Sequence, residues 1–238
     1  AAFMTGKGIS FPDCPVIEDV TILDGSTKID DSQFFDCTSL KSVHFPDTLT
    51  EIGEKAFYRC ASLSEINIPE SVKKIGDSAF YKCASLESVD IPQSVTDIGV
   101  QAFSNTGLTS IVIPNALENV GSSAFAYNSK LESVTFADGT TRVPDDIFYQ
   151  CENLVSATIP DTVTEIGEYS FADCTSLEQA DIPEGVTFIG EAAFCNTGLT
   201  EVTIPGTVTT IKDFGFQNCA NLRKVTMKYG VKDIGVQA

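Results

Sequence analysis

The sequence predicts a solenoid, a right-handed stack of about ten coils of 22–23 residues with a parallel β-sheet along one face. Three observations predict it. One apolar string recurs in phase down the whole chain, its phenylalanine column has no exception, and a short alternating segment closed by proline returns in most periods. Right-handedness follows from the sense in which parallel strands are connected.

The string is clearest at Ile68-Pro69, followed by Val72, Ile75-Gly76, Ala79-Phe80, Cys83, Leu86, Val89 and Ile91-Pro92. With proline as the register mark the positions are Leu23, Pro46, Pro69, Pro92, Pro114, Ala137, Pro160, Pro183, Pro205 and Lys228. The steps are 23 residues, apart from two of 22 at 92→114 and 183→205. Both short steps replace Cys-x-x-Leu by Asn-Thr-Gly-Leu, at Asn105 to Leu108 and Asn196 to Leu199. These lie 196 − 105 = 91 residues apart, the spacing of a duplicated block of four repeats. At the start, Phe11, Cys14 and Ile17 fall one period before Phe34, Cys37 and Leu40. At the other end Asp233 to Ala238 copies Asp97 to Ala102, where Phe103 would follow. The expectation is therefore one array over 1–238 that continues past residue 238, because a solenoid ordinarily ends in a polar cap. Residues 1–30 show no basic segment leading into an apolar run and a small-residue cleavage site, so no signal peptide is visible.

Each coil divides into three stretches. Leu86 to Pro92 alternates apolar and polar residues with the period of a strand, and proline closes it. Val-x-x-Ile-Gly reads as a second extended segment, and Ala-Phe-x-x-Cys as a turn or short helical turn. A 23-residue unit cannot bury its own apolar face, so each column becomes a ladder shared between coils. The phenylalanine ladder is Phe11, Phe34, Phe57, Phe80, Phe103, Phe125, Phe148, Phe171, Phe194 and Phe216. Burying each such ring contributes about 1.5–3 kcal/mol, against an ordering cost of about 1–2 kcal/mol per residue. Such a stack is stable by length; one coil alone is not.

Charge and composition exclude whole classes of function. Lys+Arg 15 against Asp+Glu 33 gives a net charge of −18, so no basic footprint exists for nucleic acid. No run of about 18 apolar residues is present, so this segment inserts in no membrane as a helix. One histidine, His44, leaves most histidine-dependent catalysis and zinc chemistry short of parts. No Walker loop, G-x-G-x-x-G or H-E-x-x-H occurs, and the Asp-Gly pairs at 24–25 and 138–139 read as turns. With 33 acids, no single carboxylate pair stands out as a glycosidase pair. No cofactor and no metal are expected.

The spacing Leu-x-x-Val-x-Ile is the strand signature of leucine-rich repeats. The fuller unit, Ile-Pro-x-x-Val-x-x-Ile-Gly-x-x-Ala-Phe-x-x-Cys-x-x-Leu-x-x-Val, resembles the BspA-like class of that superfamily over essentially all of 1–238. The resemblance implies a leucine-rich-repeat solenoid of bacterial or protist cell surfaces, extracellular in location. It also implies a role in adhesion or protein–protein interaction through an extended repeat face, without catalysis. The alternative is a structural spacer or assembly subunit, for which oligomers would be expected. Departures at Ala137, Thr140, Pro144 and Lys212 predict irregular coils near 137–147 and 205–216.

Four sets of residues are candidates for function. Cys14, Cys37, Cys60, Cys83, Cys151, Cys174 and Cys219 share one column, filled elsewhere by Thr106, Asn128 and Thr197. They read as buried, free ladder thiols, with Cys195 off the column and more exposed. His44 falls at an outward strand position and reads as a solvated residue. The outward strand positions of a leucine-rich-repeat stack form a concave sheet. Here they run from Glu18, Asp19 and Thr21 to Arg223, Lys224 and Thr226, and include no Phe, Tyr or Trp, the anchors interfaces favour. The turn edge differs. Phe35, Tyr58, Tyr81 and Tyr149 follow their ladder phenylalanines, with Tyr127 one place later. Tyr58-Arg59 and Tyr81-Lys82 set two aromatics beside two cations on neighbouring coils. That is a partner-binding composition, with a simple cover over the phenylalanine ladder as the competing reading.

Overall fold

The computed structural model of the protein describes residues 2–4 and 11–238. It is a parallel β-solenoid of about nine coils of roughly 23 residues, and no helix occurs among the described residues. The chain divides into two compact units, Ala1–Phe125 and Ala126–Ala238.

Strands occupy two columns of each coil. In the first unit the leucine-rich column gives Ala2–Met4, Asp19–Ile22, Ser42–His44 and Glu65–Ile66, paired in parallel and in that order. In the second unit Ser133–Phe136 pairs with Ser156–Thr158, and Glu201–Ile204 with Lys224–Met227. The second extended segment is the more regular one. Lys28–Ile29, Glu51–Ile52, Lys74–Ile75, Asp97–Ile98 and Asn119–Val120 form an unbroken five-stranded sheet. Arg142–Val143, Glu165–Ile166, Phe188–Ile189, Thr210–Ile211 and Asp233–Ile234 form its counterpart in the second unit. The leucine-rich column is interrupted at 88–91, and at 179–182 only Gln179 bridges to Glu201. Both interruptions stand one coil before a 22-residue coil. Val89 and Ala180 stay buried there, so the core continues where the ladder of strand bonds does not.

The Ala-Phe-x-x-Cys stretch is a run of turns. Within it Tyr58 N–H donates to Lys55 O and Cys60 N–H to Phe57 O, both at 3.1 Å. Alternate amides point along the stack instead. Lys55 N–H donates to Asp77 O, Phe57 N–H to Ala79 O and Arg59 N–H to Tyr81 O at 2.7–2.8 Å. The corner is thus a third hydrogen-bonded ladder, and it satisfies backbone groups that would otherwise be buried unpaired.

Inside lie the ladders. Phe34, Phe57, Phe80, Phe103 and Phe125 in one unit, and Phe148, Phe171 and Phe194 in the other, are fully buried. Their rings stack at centroid distances of 5.3 Å for Phe34–Phe57, 5.1 Å for Phe80–Phe103 and 5.4 Å for Phe171–Phe194. The glycine of Ile-Gly has a packing reason. A Cβ on Gly76 would sit 2.6 Å from Glu54 N and 2.7 Å from the Gly53 carbonyl carbon, both backbone atoms of the preceding coil. The Asn-Thr-Gly-Leu variant has the same origin, since a Cβ on Gly107 would strike Ala84 O and one on Gly198 would strike Thr175 O.

The irregular coil expected near 205–216 does not materialise, and near 137–147 Arg142–Val143 stands at the edge of its sheet. Val143 pairs with Ile166, and Ile211 pairs with both Ile189 and Ile234, in undisturbed register. Thr140 holds the buried valine position by turning its hydroxyl onto Ala137 O at 2.7 Å. Lys212 keeps the glycine's hydrogen bond, its N–H donating to Ile189 O at 3.0 Å, while its side chain reaches solvent.

Candidate functional site

The turn corner places its side chains by backbone conformation. In every coil the residue before the cysteine column has positive φ, as at Asp36 (57°), Arg59 (60°), Lys82 (59°), Asn105 (57°) and Tyr127 (60°). Asp and Asn tolerate this left-handed region because their short polar side chains bond locally; bulkier side chains are disfavoured there. Asp13, Asp36, Asn105, Asp173, Asn196 and Asn218 follow that preference, and Arg59, Lys82, Tyr127 and Gln150 depart from it. The first three of these four are among the residues the sequence singles out.

In the first unit the structure brings five of the candidates together. Phe35 and Tyr58 stack at 4.9 Å and 2°, and Tyr58 and Tyr81 at 5.0 Å and 20°. All three rings are half-buried, with their edges at the surface. Arg59 and Lys82 are exposed beside them. Lys82 Nζ lies 5.3 Å from the centre of the Tyr81 ring, within cation–π range. Arg59 Nε lies 3.5 Å from Asp36 Oδ1. Next to the stack runs a groove of about 370 Å³ lined by Asp36, Thr38, Arg59, Ala61, Lys82, Ala84 and Asn105. In the second unit Tyr127 and Tyr149 form their own pair, edge to face at 5.5 Å. Burial pushes the Tyr149 hydroxyl above its ordinary pKa.

Asp36, Asn105 and the small-residue wall Thr38, Ala61 and Ala84 were not legible as a site from one coil. The signal was the column itself: Asp-Cys-Thr, Arg-Cys-Ala, Lys-Cys-Ala and Asn-Thr-Gly at one register. A charge ladder on the second strand column also escaped notice in the sequence. There Lys28, Glu51, Lys74 and Asp97 alternate in sign down consecutive strands, with Lys28–Glu51 at 3.1 Å and Lys74–Glu51 at 4.0 Å.

The cysteine column lies inside the stack. Cys37, Cys60, Cys83, Cys151 and Cys174 are buried, but Cys14 and Cys219, expected to be buried with them, are partly exposed like Cys195, because they stand in the end coils of the column. The thiols of Cys60, Cys83 and Cys174 donate to the carbonyls of Phe34, Phe57 and Phe148 at 3.1–3.3 Å. In two coils Thr106 and Thr197 hydroxyls donate to Phe103 O and Phe194 O instead. Burial pushes the Cys37 thiol up to about 11 and the Cys151 thiol up to about 12. These are unreactive thiols rather than nucleophiles. His44 is exposed. No group of three or more His, Cys, Asp and Glu is arranged to hold a metal ion among the described residues. No helix among them is long and apolar enough to cross a membrane.

This geometry defines a class: a parallel-stacked leucine-rich-repeat scaffold whose chemistry-bearing side chains lie on its outer edges. Within that class the chain belongs to the BspA type leucine-rich repeat family, whose six-copy profile matches residues 8–132 and 118–238. Among solved structures it is similar to a leucine-rich repeat protein from Bacteroides ovatus, with 28% identity and a TM-score of 0.76, over 93% of this chain and 72% of that one. It is also similar to the leucine-rich repeat protein of T. pallidum, with 31% identity and a TM-score of 0.61, over 72% and 79% of the two chains. A third, from Eubacterium ventriosum, is 26% identical with a TM-score of 0.56, over 91% and 61%. No curated protein matches the sequence.

Proposed function

We propose that the protein is a non-catalytic interaction module of a cell surface, and that it binds a protein partner through the turn edge of its first unit. The observation that carries this reading is the surface stack of Phe35, Tyr58 and Tyr81 flanked by Arg59 and Lys82. Aromatic and arginine side chains supply most of the energy where proteins meet. The two cations also stand in a backbone conformation that suits Asp or Asn better. The extracellular location rests on membership of the BspA type leucine-rich repeat family. Tyr127 and Tyr149 offer a second, smaller aromatic pair of the same kind in the other unit.

The test is site-specific photo-crosslinking against cell-surface and extracellular-matrix protein extracts. A benzophenone side chain replaces Tyr58 or Tyr81 in one arm and His44, exposed on strand Ser42–His44, in the other. Discrete light-dependent adducts from positions 58 and 81, absent from position 44, are expected. Adducts from position 44 alone, or from none of the three, would overturn the reading.

A further inference from the structure

We propose that the groove beside the aromatic stack is an anion site, and that it takes a side-chain carboxylate from an acidic segment of the partner between Arg59 and Lys82. This deepens the interaction reading above and rests on it for the class of partner.

The order of charges differs between the columns of the coil. On the second strand column, Lys28, Glu51, Lys74 and Asp97 alternate in sign, so each charge meets its opposite on the next coil. The turn column runs Asp36, Arg59, Lys82 and Asn105, so its alternation stops after the first pair. Arg59 and Lys82 stand on consecutive coils joined by the Arg59 N–H to Tyr81 O bond. Like charges held on adjacent coils repel, and a chain with 33 acids and 15 bases has no shortage of carboxylates with which to avoid it. Lys28, Lys41, Arg142 and Lys224 each have a carboxylate within 3.4 Å. Lys82, like Lys73, Lys212, Arg223 and Lys232, has no carboxylate within ion-pair distance among the described residues, and it lies over the Tyr81 ring. An anion between the two cations would relieve both defects.

Arg59 keeps hydrogen-bonding capacity for such an anion. Its Nε lies 3.5 Å from Asp36 Oδ1, a buried oxygen that accepts no hydrogen bond, so Asp36 holds the guanidinium nearby by charge alone. A guanidinium fork matches a planar carboxylate in bidentate fashion. Asp36 offsets one of the two cations, and the groove keeps one net positive charge. Thr38, Ala61 and Ala84 are short enough to leave the floor open, and Asn105 adds a neutral polar end.

The arrangement of the rings favours protein over sugar. The faces of Phe35, Tyr58 and Tyr81 cover one another, and Lys82 lies over the Tyr81 ring. A saccharide ring stacks on an open aromatic face, and both faces of the central Tyr58 ring are covered by its neighbours.

The experiment uses the full chain with hexaglutamate, hexaglutamine and a sulfated heparin-type oligosaccharide as probes, titrated calorimetrically at low and physiological salt. Hexaglutamate is expected to bind and to weaken by about threefold or more with salt, as a charge-driven contact does. Hexaglutamine is expected not to bind. Arg59→Asn with Lys82→Asn should lower hexaglutamate affinity by about tenfold or more, while thermal stability holds or rises because Asn suits φ near 60°. Arg59→Lys, which keeps the charge, should lose less, and Lys82→Met checks that the aliphatic stem alone does not bind. Equal binding of hexaglutamine, unchanged affinity in the double Asn variant, or binding of the sulfated oligosaccharide without hexaglutamate would each overturn the proposal. If crosslinks from position 58 persist in that double variant while hexaglutamate fails to bind wild type, the carboxylate site falls and the interaction reading stands. If hexaglutamate binds but no protein crosslink forms, the interaction reading falls and the carboxylate site stands.

Discussion

A buried hydroxyl and a buried thiol behave differently in this core. Ser170 occupies the column held by Ala56, Ala79, Ala102 and Ala193, is fully buried, and its Oγ finds no hydrogen-bond partner among the described residues. Leaving such a group unpaired costs about 1–3 kcal/mol. Ser170→Ala should therefore raise unfolding stability by about 1 kcal/mol, seen as a higher denaturant midpoint at unchanged slope; a loss of stability would mean that the hydroxyl is satisfied. The thiols have partners, and their contribution depends on pH. Burial raises Cys37 from 9.0 to about 11 and Cys151 from 9.0 to about 12, so the folded chain keeps protons that the unfolded chain releases. Their stabilisation is complete below pH 9 and is lost as pH rises from 9 towards those values. The slope approaches about 1.4 kcal/mol per pH unit for each thiol. Urea midpoints should fall steeply between pH 9 and 10, and a flat profile there would contradict the burial of the column. Alkylation of the native protein should reach the partly exposed Cys195 well before Cys60, Cys83 and Cys174.

At the scale of one coil, the aspartate two places after the ladder Ile or Val is a joint between neighbours, preceded by glycine at Asp77 and by Asp30, Pro144 and Lys212 at the other three. Asp77 Oδ1 accepts the Val100 N–H at 2.8 Å, and Asp31, Asp145 and Asp213 do the same for Glu54, Glu168 and Val236. The adjoining glycine leaves room for the previous coil's backbone. Gly76→Ala should cost about 1–3 kcal/mol or more by overpacking, because its Cβ meets backbone that cannot yield. Asp77→Ala should cost about 1.5–3 kcal/mol, the worth of a hydrogen bond to a charged acceptor, while Asp77→Asn keeps an acceptor and costs less. Thermal melts of the three variants check this order. The joint shows what the sequence could and could not convey. Glycine in a fixed column announced a close approach, and phenylalanine at every period announced the ring stack. The acceptor role of Asp31 or Asp77 was hidden, since in an acidic chain one more carboxylate carries no signal. Nor could spacing distinguish a corner held by internal turns from one whose alternate amides bond to the next coil.

For the molecule as a whole, contacts that join only neighbouring coils make stability nearly one-dimensional. The period was legible because ten in-phase copies of a phenylalanine leave little room for another fold. The binding edge was legible only in part, since Arg59 and Lys82 depart from the Asp/Asn preference of their column while Asp36 and Asn105 conform to it. The one-dimensional character makes a sharp prediction within the first unit. Phe80 stacks on Phe57 at 5.3 Å and on Phe103 at 5.1 Å, and is fully buried. Phe80→Ala should cost about 3–5 kcal/mol, because it deletes one ring and strands two others. The damage should decay along the stack. Amide exchange should accelerate most at Phe57 and Phe80, whose N–H groups donate to Ala79 O and Ala102 O, and least at Asp13, whose N–H donates to Phe35 O three coils away. A uniform acceleration at all three amides would mean that the unit opens as a single cooperative block, and that its coils are coupled more strongly than nearest-neighbour packing provides.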